Sequence, residues 1–289
     1  MKRLRFSPFT PVSKLNNALL DKLKRNDRSL KYLIFSSRDL GHQGVQALAE
    51  ALCGNSSLEA LDLSSNQIQA QGCTYIALLI KHQNNMKLST GIKTLILGDN
   101  DIRDEGVRCI ANALENNQVL ESLWIDNNCI GCTGLDILAH SLVKNHTLER
   151  LHLKHNSFQS LSPLLRCTFN KESLEAIADS NHTLKHVFLN CGYSYECEEL
   201  EAVLKINRLG KAKARRVKLA RHLETNINRL LELDLDAKVL PLAFEILGET
   251  NSLSTMFSAI RNLSSVALTF CDEDAIEVDG DPMDVEYIM

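Results

Sequence analysis

From residue 30 onward the apolar positions switch repeatedly between two spacings. The clearest stretch is Leu58-Glu-Ala-Leu61-Asp-Leu63-Ser-Ser-Asn66-Gln-Ile68. The same pattern returns as Ile92, Leu95, Leu97, Asn100, Ile102, then as Leu120, Leu123, Ile125, Asn128, Ile130, then as Leu148, Leu151, Leu153, Asn156, Phe158. Weaker copies flank these: Leu30, Leu33, Phe35, Leu40, with Arg38 in the asparagine place, and Leu184, Val187, Leu189, with Gly192 there. The copies begin 28, 34, 28, 28 and 36 residues apart, so the unit is 28 residues with insertions of 6 and 8 in the second and fifth copies. Leu-x-Leu has period 2 and predicts a short strand with one buried face. Further along each unit, apolar residues fall four apart, as in Leu48 and Leu52, Ile76 and Ile80, Ile110 and Leu114, Leu138 and Leu142. That is one stripe of a helix.

Between strand and helix stands Gly44, Gly72, Gly106 or Gly134; the fifth and sixth copies have Ser162 and Glu198 instead. A glycine there suggests a turn with positive φ, and the asparagine suits hydrogen bonding within a tight bend. Neither element can bury its apolar face alone, so the units must stack, strand beside strand and helix beside helix. Parallel strands sit ~4.8 Å apart and helices ~8–10 Å, so the stack bends with the sheet on its inner face.

The 28-residue unit L-x-x-L-x-L-x-x-N-x-I, then glycine, then helix, resembles the ribonuclease-inhibitor-like subclass of leucine-rich repeats. The resemblance covers residues 29–207 and implies an α/β fold: a right-handed solenoid arc, or horseshoe, with an inner parallel β-sheet, outer helices and a helical C-terminal cap. It specifies fold more sharply than function, because this scaffold hosts inhibitors, immune sensors, GTPase activators and adaptors.

Around the six repeats, residues 1–28 are expected to form a helical N-terminal cap, on Leu15, Leu19, Leu20 and Leu23. Residues 208–222 are a basic segment with seven Lys or Arg in Arg208–Arg221 and no acid. It reads as a solvated helix face or linker, with a nuclear-import signal or an anionic-partner patch as the active alternatives. Two amphipathic helices are expected in a cap over 223–270, and the acidic stretch 271–289 is expected to be disordered. Those last 19 residues hold 8 of the 36 acidic residues and no Lys or Arg, so the chain's net charge of −4 conceals a body that is net positive.

Composition narrows the possibilities. No 18-residue apolar run is present, so no membrane span is expected, and no secretory leader is evident after Met1-Lys-Arg. Nine scattered cysteines suit reduced thiols in the cytosol or nucleus. No phosphate-cradling glycine loop occurs and no cofactor is expected. Cys129-Ile-Gly-Cys132 is a lone pair without two further ligands in adjacent repeats, which argues against zinc. Asp99, Asn127, His155 and Cys191 occupy one column on successive strands, a nucleophilic set in residue type but without an oxyanion hole or pocket. An enzyme is not expected.

The residues between the leucines face outward on the inner sheet. One column reads Ile34, Asp62, Ile96, Trp124, His152, Phe188; the column before it Tyr32, Ala60, Thr94, Ser122, Arg150, His186; the one after it Ser36, Ser64, Gly98, Asp126, Lys154, Asn190. Aromatic and arginine side chains anchor interfaces more than other types do. The candidate binding residues are therefore Tyr32, Ile96, Trp124, Asp126, Arg150, His152, Lys154, His186 and Phe188. They point to a monomeric, non-enzymatic scaffold for a protein partner that the sequence does not identify. Nucleic acid is disfavoured because the basic run lacks interleaved aromatics. The alternative is a regulator of a small GTPase, since the leucine-rich domain that activates the Ran GTPase is similar in repeat type and acidic tail.

Overall fold

A computed structural model describes residues 2–5, 17–85, 91–190 and 195–225. By internal packing the chain divides into Met1–Leu219 and Ala220–Met289, and all six repeats lie in the first unit. Its elements are β1 (Lys2–Arg5), α1 (Asn17–Lys24), β2 (Leu30–Ile34), α2 (Gly41–Leu52), β3 (Ala60–Asp62), α3 (Gln69–Asn85), β4 (Thr94–Ile96) and α4 (Arg103–Leu114). There follow β5 (Ser122–Trp124), α5 (Cys132–Lys144), β6 (Arg150–His152), α6 (Ser162–Thr168), α7 (Leu174–Asp179), β7 (His186–Phe188), α8 (Tyr195–Asn207) and α9 (Lys211–Thr225).

The strands form one open parallel sheet in sequence order, β1 to β7. Register follows the repeat without a slip from β2 to β7: Leu33, Leu61, Leu95, Leu123, Leu151 and Val187 pair in turn. The four central leucines of that row, Leu61, Leu95, Leu123 and Leu151, are at most 2% exposed and join the helical stripe in a single core. The sheet and stacked helices are the expected leucine-rich-repeat solenoid.

Four expectations need correction or extension. Residues 1–28, expected to be purely helical, also supply β1, which pairs with β2. An end strand pairs on one side only, and a four-residue strand need not carry the full leucine signature. The glycines do not supply positive φ. Gly44, Gly72, Gly106 and Gly134 lie in or at the start of helices, where a Cβ would collide with the residue four earlier, for example at 2.7 Å from Leu40 Cδ2 for Gly44. Their requirement is close approach, while positive φ falls on the turn residues before them: Ser65, Gln67 and Gln69, then Asp99, Asp101 and Arg103. The eight-residue insertion of the fifth repeat splits its helix into the short α6 and α7. Finally, residues 208–222 are not wholly a solvated face: Gly210 at φ 95 turns the chain into α9, and Lys218 on that helix is fully buried. Of the cap expected over 223–270 only the end of α9 is described, and the stretch 271–289 lies outside the described residues.

Candidate binding face

Each asparagine of the signature ties its own unit to the preceding one. Asn100 accepts from the backbone N–H of Asn66 (2.8 Å) and Ile68 (3.4 Å), and donates to the carbonyls of Leu63 (3.0 Å), Leu97 (2.8 Å) and Gly98 (3.0 Å). Asn66, Asn128 and Asn156 repeat the arrangement. A second ladder, unnoticed in the sequence, runs along the opposite end of the units. Asn145 Nδ2 donates to Leu114 O at 2.7 Å and Asn181 Nδ2 to Leu142 O at 2.6 Å, while their Oδ1 atoms receive the N–H groups of Leu148 and Leu184 at 2.8 Å. Its signal was present: an asparagine three residues before the leading apolar residue at Asn55, Asn117, Asn145 and Asn181. Together the ladders satisfy buried backbone groups that would otherwise carry a desolvation cost, and they hold the sheet face rigid.

On that face the register sets Ile96 beside Trp124, Trp124 beside His152 and His152 beside Phe188. The rings stack: Trp124 on His152 at 3.7 Å between centroids and 12° between planes, His152 on Phe188 at 3.9 Å and 19°. Close face-to-face stacking hides apolar area of all three rings. Phe188 is 37% exposed and the other two are half-buried. Trp124, expected to be exposed, is partly covered because His152 lies against it and its Nε1–H donates to Ser122 Oγ at 3.0 Å; Ser122, in an outward column, is consequently buried.

Burial lowers the His152 pKa below 6.5, with Asp126 opposing and Lys154 and Arg150 reinforcing. His186 is lowered in the same way by burial, then by Arg208 and Arg150. Both shifts favour the neutral imidazole at pH 7, so the column Ile96–Trp124–His152–Phe188 carries no formal charge. Arg150 and Lys154 are exposed on either side of His152, while half-buried Asp126 turns one carboxylate oxygen onto the Lys154 N–H at 2.7 Å. Tyr32 stands apart on β2, three strands from Trp124, so the structure gathers eight of the nine candidate residues and leaves one out.

The other motifs come to less. Asn127 Nδ2 donates to Asp99, and His155 is engaged by Asn190 at 2.7 Å. Cys191 lies outside the described residues, so no nucleophile–base pair forms among those described. Cys129 and Cys132 are exposed free thiols, and among the described residues no group of three metal-ligating side chains converges. No described helix is long and apolar enough to cross a membrane.

A model of the family "Leucine Rich repeat" matches residues 54–77, 89–111 and 144–160. Among curated proteins, "NACHT, LRR and PYD domains-containing protein 13" of Homo sapiens is 36% identical over 106 residues, covering 36% of this chain and 10% of that protein. "Ribonuclease inhibitor" of Sus scrofa is 28% identical over 127 residues, covering 36% and 28%. These are leucine-rich repeats of the ribonuclease-inhibitor-like kind. "RAN GTPase-activating protein 2" of Arabidopsis thaliana is 25% identical over 113 residues, covering 39% of this chain and 20% of that protein. The chain thus spans well under a third of each of these relatives.

Proposed function

We propose that the sheet face of β4 to β7 is a protein-recognition surface and that the chain acts by binding rather than by catalysis. The observation that carries this is the pre-stacked column Ile96–Trp124–His152–Phe188, uncharged at neutral pH, on a sheet whose two ends are tied by asparagine ladders. A rigid aromatic patch loses little side-chain freedom on binding, and aromatic anchors carry most of an interface's energy. Supporting this, leucine-rich-repeat proteins generally serve as binding scaffolds, and one relative is named as an inhibitor of a ribonuclease.

Photo-crosslinking reads the occupied face directly. A benzophenone amino acid at Ile96 should capture a partner, while the same group at Leu78, 62% exposed on helix α3, should not. Combined Trp124→Ala and Phe188→Ala should reduce capture by at least ~30-fold, about 2 kcal/mol for one lost hot spot, with unchanged circular dichroism. Undiminished capture by the double variant refutes the assignment.

A second reading, regulation of a small GTPase, draws on the relative named as a Ran GTPase-activating protein. It requires faster GTP hydrolysis by a candidate GTPase in the presence of this chain; unchanged hydrolysis leaves the binding reading alone.

A further inference from the structure

The charged groups on the sheet face are distributed unevenly. Along the edge nearest the strand starts, Lys31 pairs with Glu59 at 2.9 Å, Lys93 with Glu121 at 2.9 Å and Lys185 with Glu149 at 2.5 Å. These cations are neutralised within the fold. Arg150 and Lys154 are not: among the described residues neither side chain has an ion pair, and both are exposed. Asp126, the acid nearest Lys154 in register, is committed to the Lys154 backbone N–H. His186 adds polar surface beside Arg150, Asp62 lies three strands away on β3, and Asp99 in the turn after β4 accepts from Asn127 Nδ2.

Arg150 and His152 share the outward face of β6, and Lys154 follows in the turn two residues beyond it, so the aromatic column crosses the chain between the two cations. At ~3.3 Å per extended residue, the four residues from Arg150 to Lys154 span at most roughly 13 Å. An extended ligand strand presents side chains of one face at i, i+2 and i+4 with the same spacing.

Resting on the reading that this face is the binding surface, we propose that its β6–β7 half recognises an extended acidic peptide segment. Carboxylates at i and i+4 meet Arg150 and Lys154, and an apolar or aromatic side chain at i+2 lies across the edges of Trp124, His152 and Phe188. Arginine gives the bidentate contact and lysine the point charge. A nucleic acid fits the same cations less well. The three rings are stacked on one another at 3.7 and 3.9 Å, which leaves no slot between them for a base.

The probe is a fluorescein-labelled dodecapeptide with glutamates four residues apart and a phenylalanine midway, titrated with the full chain by anisotropy. Controls carry lysines in place of the glutamates, or serine in place of the phenylalanine, and a labelled oligothymidylate tests polyanion binding. The glutamate peptide should bind saturably and weaken with salt, and each control should bind at least about tenfold more weakly. Combined Arg150→Glu and Lys154→Glu should reverse the preference to the lysine peptide, a gain that a misfolded variant cannot show. No binding of the glutamate peptide, no reversal, or equal binding of the oligothymidylate overturns the proposal. If Trp124→Ala abolishes partner crosslinking while the double charge reversal leaves it intact, the binding face stands and the acidic specificity falls.

Discussion

Replacing Asn100 by alanine tests whether the signature asparagines hold the solenoid together or merely decorate a turn. Asn100 is 1% exposed and makes five hydrogen bonds that reach both its own unit and the preceding one. Alanine orphans the Asn66 N–H, worth ~1–3 kcal/mol for a buried group, and removes further bonds worth ~0.5–1.5 kcal/mol each. The longer contact to the Ile68 N–H adds little. A loss of ~3–5 kcal/mol follows, a large share of the ~5–15 kcal/mol that stabilises an ordinary domain, and a fall in Tm of about 10 °C. Asn156 makes the analogous bonds at the half-exposed turn after β6, where water can replace them, so Asn156→Ala should lose only ~1–2 kcal/mol. Asn100→Asp keeps the acceptor but faces three carbonyls with a carboxylate, and should be at least as damaging as alanine. Urea unfolding followed by circular dichroism and by the fluorescence of the single tryptophan measures all three. Equal losses at Asn100 and Asn156, or a loss at Asn100 below about 1 kcal/mol, would refute the inter-unit account.

Two further outcomes concern pH. Burial and the nearby Lys218 push His182 down from 6.5 to about 4, with its Nε2 at 3.2 Å from Ala178 O and its Nδ1 at 3.1 Å from Lys218 Nζ. Between pH 6.5 and 4 the unfolded chain therefore holds more protons than the folded one, and stability falls as pH drops through that window, by ~3 kcal/mol in total. His182→Gln should flatten that part of the stability–pH curve; an unchanged slope would show that His182 is not its source. On the sheet face, Trp124 emission should be quenched as the stacked His152 becomes an imidazolium, with a midpoint below 6.5. His152→Phe should abolish the step, and a midpoint at or above 6.5 contradicts the burial argument.

The inward row Leu61, Leu95, Leu123, Leu151 was legible because a repeat converts sequence spacing into spatial adjacency: what recurs every 28 residues must lie in register. The same translation made the outward columns readable, so Trp124, His152 and Phe188 were placed side by side from sequence. Their half-burial was not, since it depends on how rings of different size settle once adjacent. The glycine role was misread because both positive φ and close approach select glycine, and only the collision with Ile68 or Ile102 distinguishes them. Lys218 was illegible for another reason. Its ammonium donates to Thr168 O, to Asn181 O at 3.0 Å and toward His182 Nδ1 at 3.1 Å, partners 36 to 50 residues away in non-equivalent places. No periodicity encodes such a contact. Desolvation there lowers the lysine to about 7, yet all three partners favour its charged form. With His182 Nε2 facing the Ala178 carbonyl, the ring proton belongs on Nε2, which leaves Nδ1 as an acceptor and the lysine as the donor of all three bonds.

Repetition and function also pull apart in this chain. Where the outward column could hold any residue that tolerates water, it holds Ile34 and Asp62 on β2 and β3, then carries Ile96 and three stacked rings over four successive strands to Phe188. Core packing does not demand that change, since Leu61 and Leu95 are equally buried beneath either kind of neighbour. A scaffold indifferent to its outward residues gains nothing in folding from Trp124, His152 and Phe188 beyond their mutual stacking. The departure from the repeat, rather than the repeat, is what supports the proposed binding face.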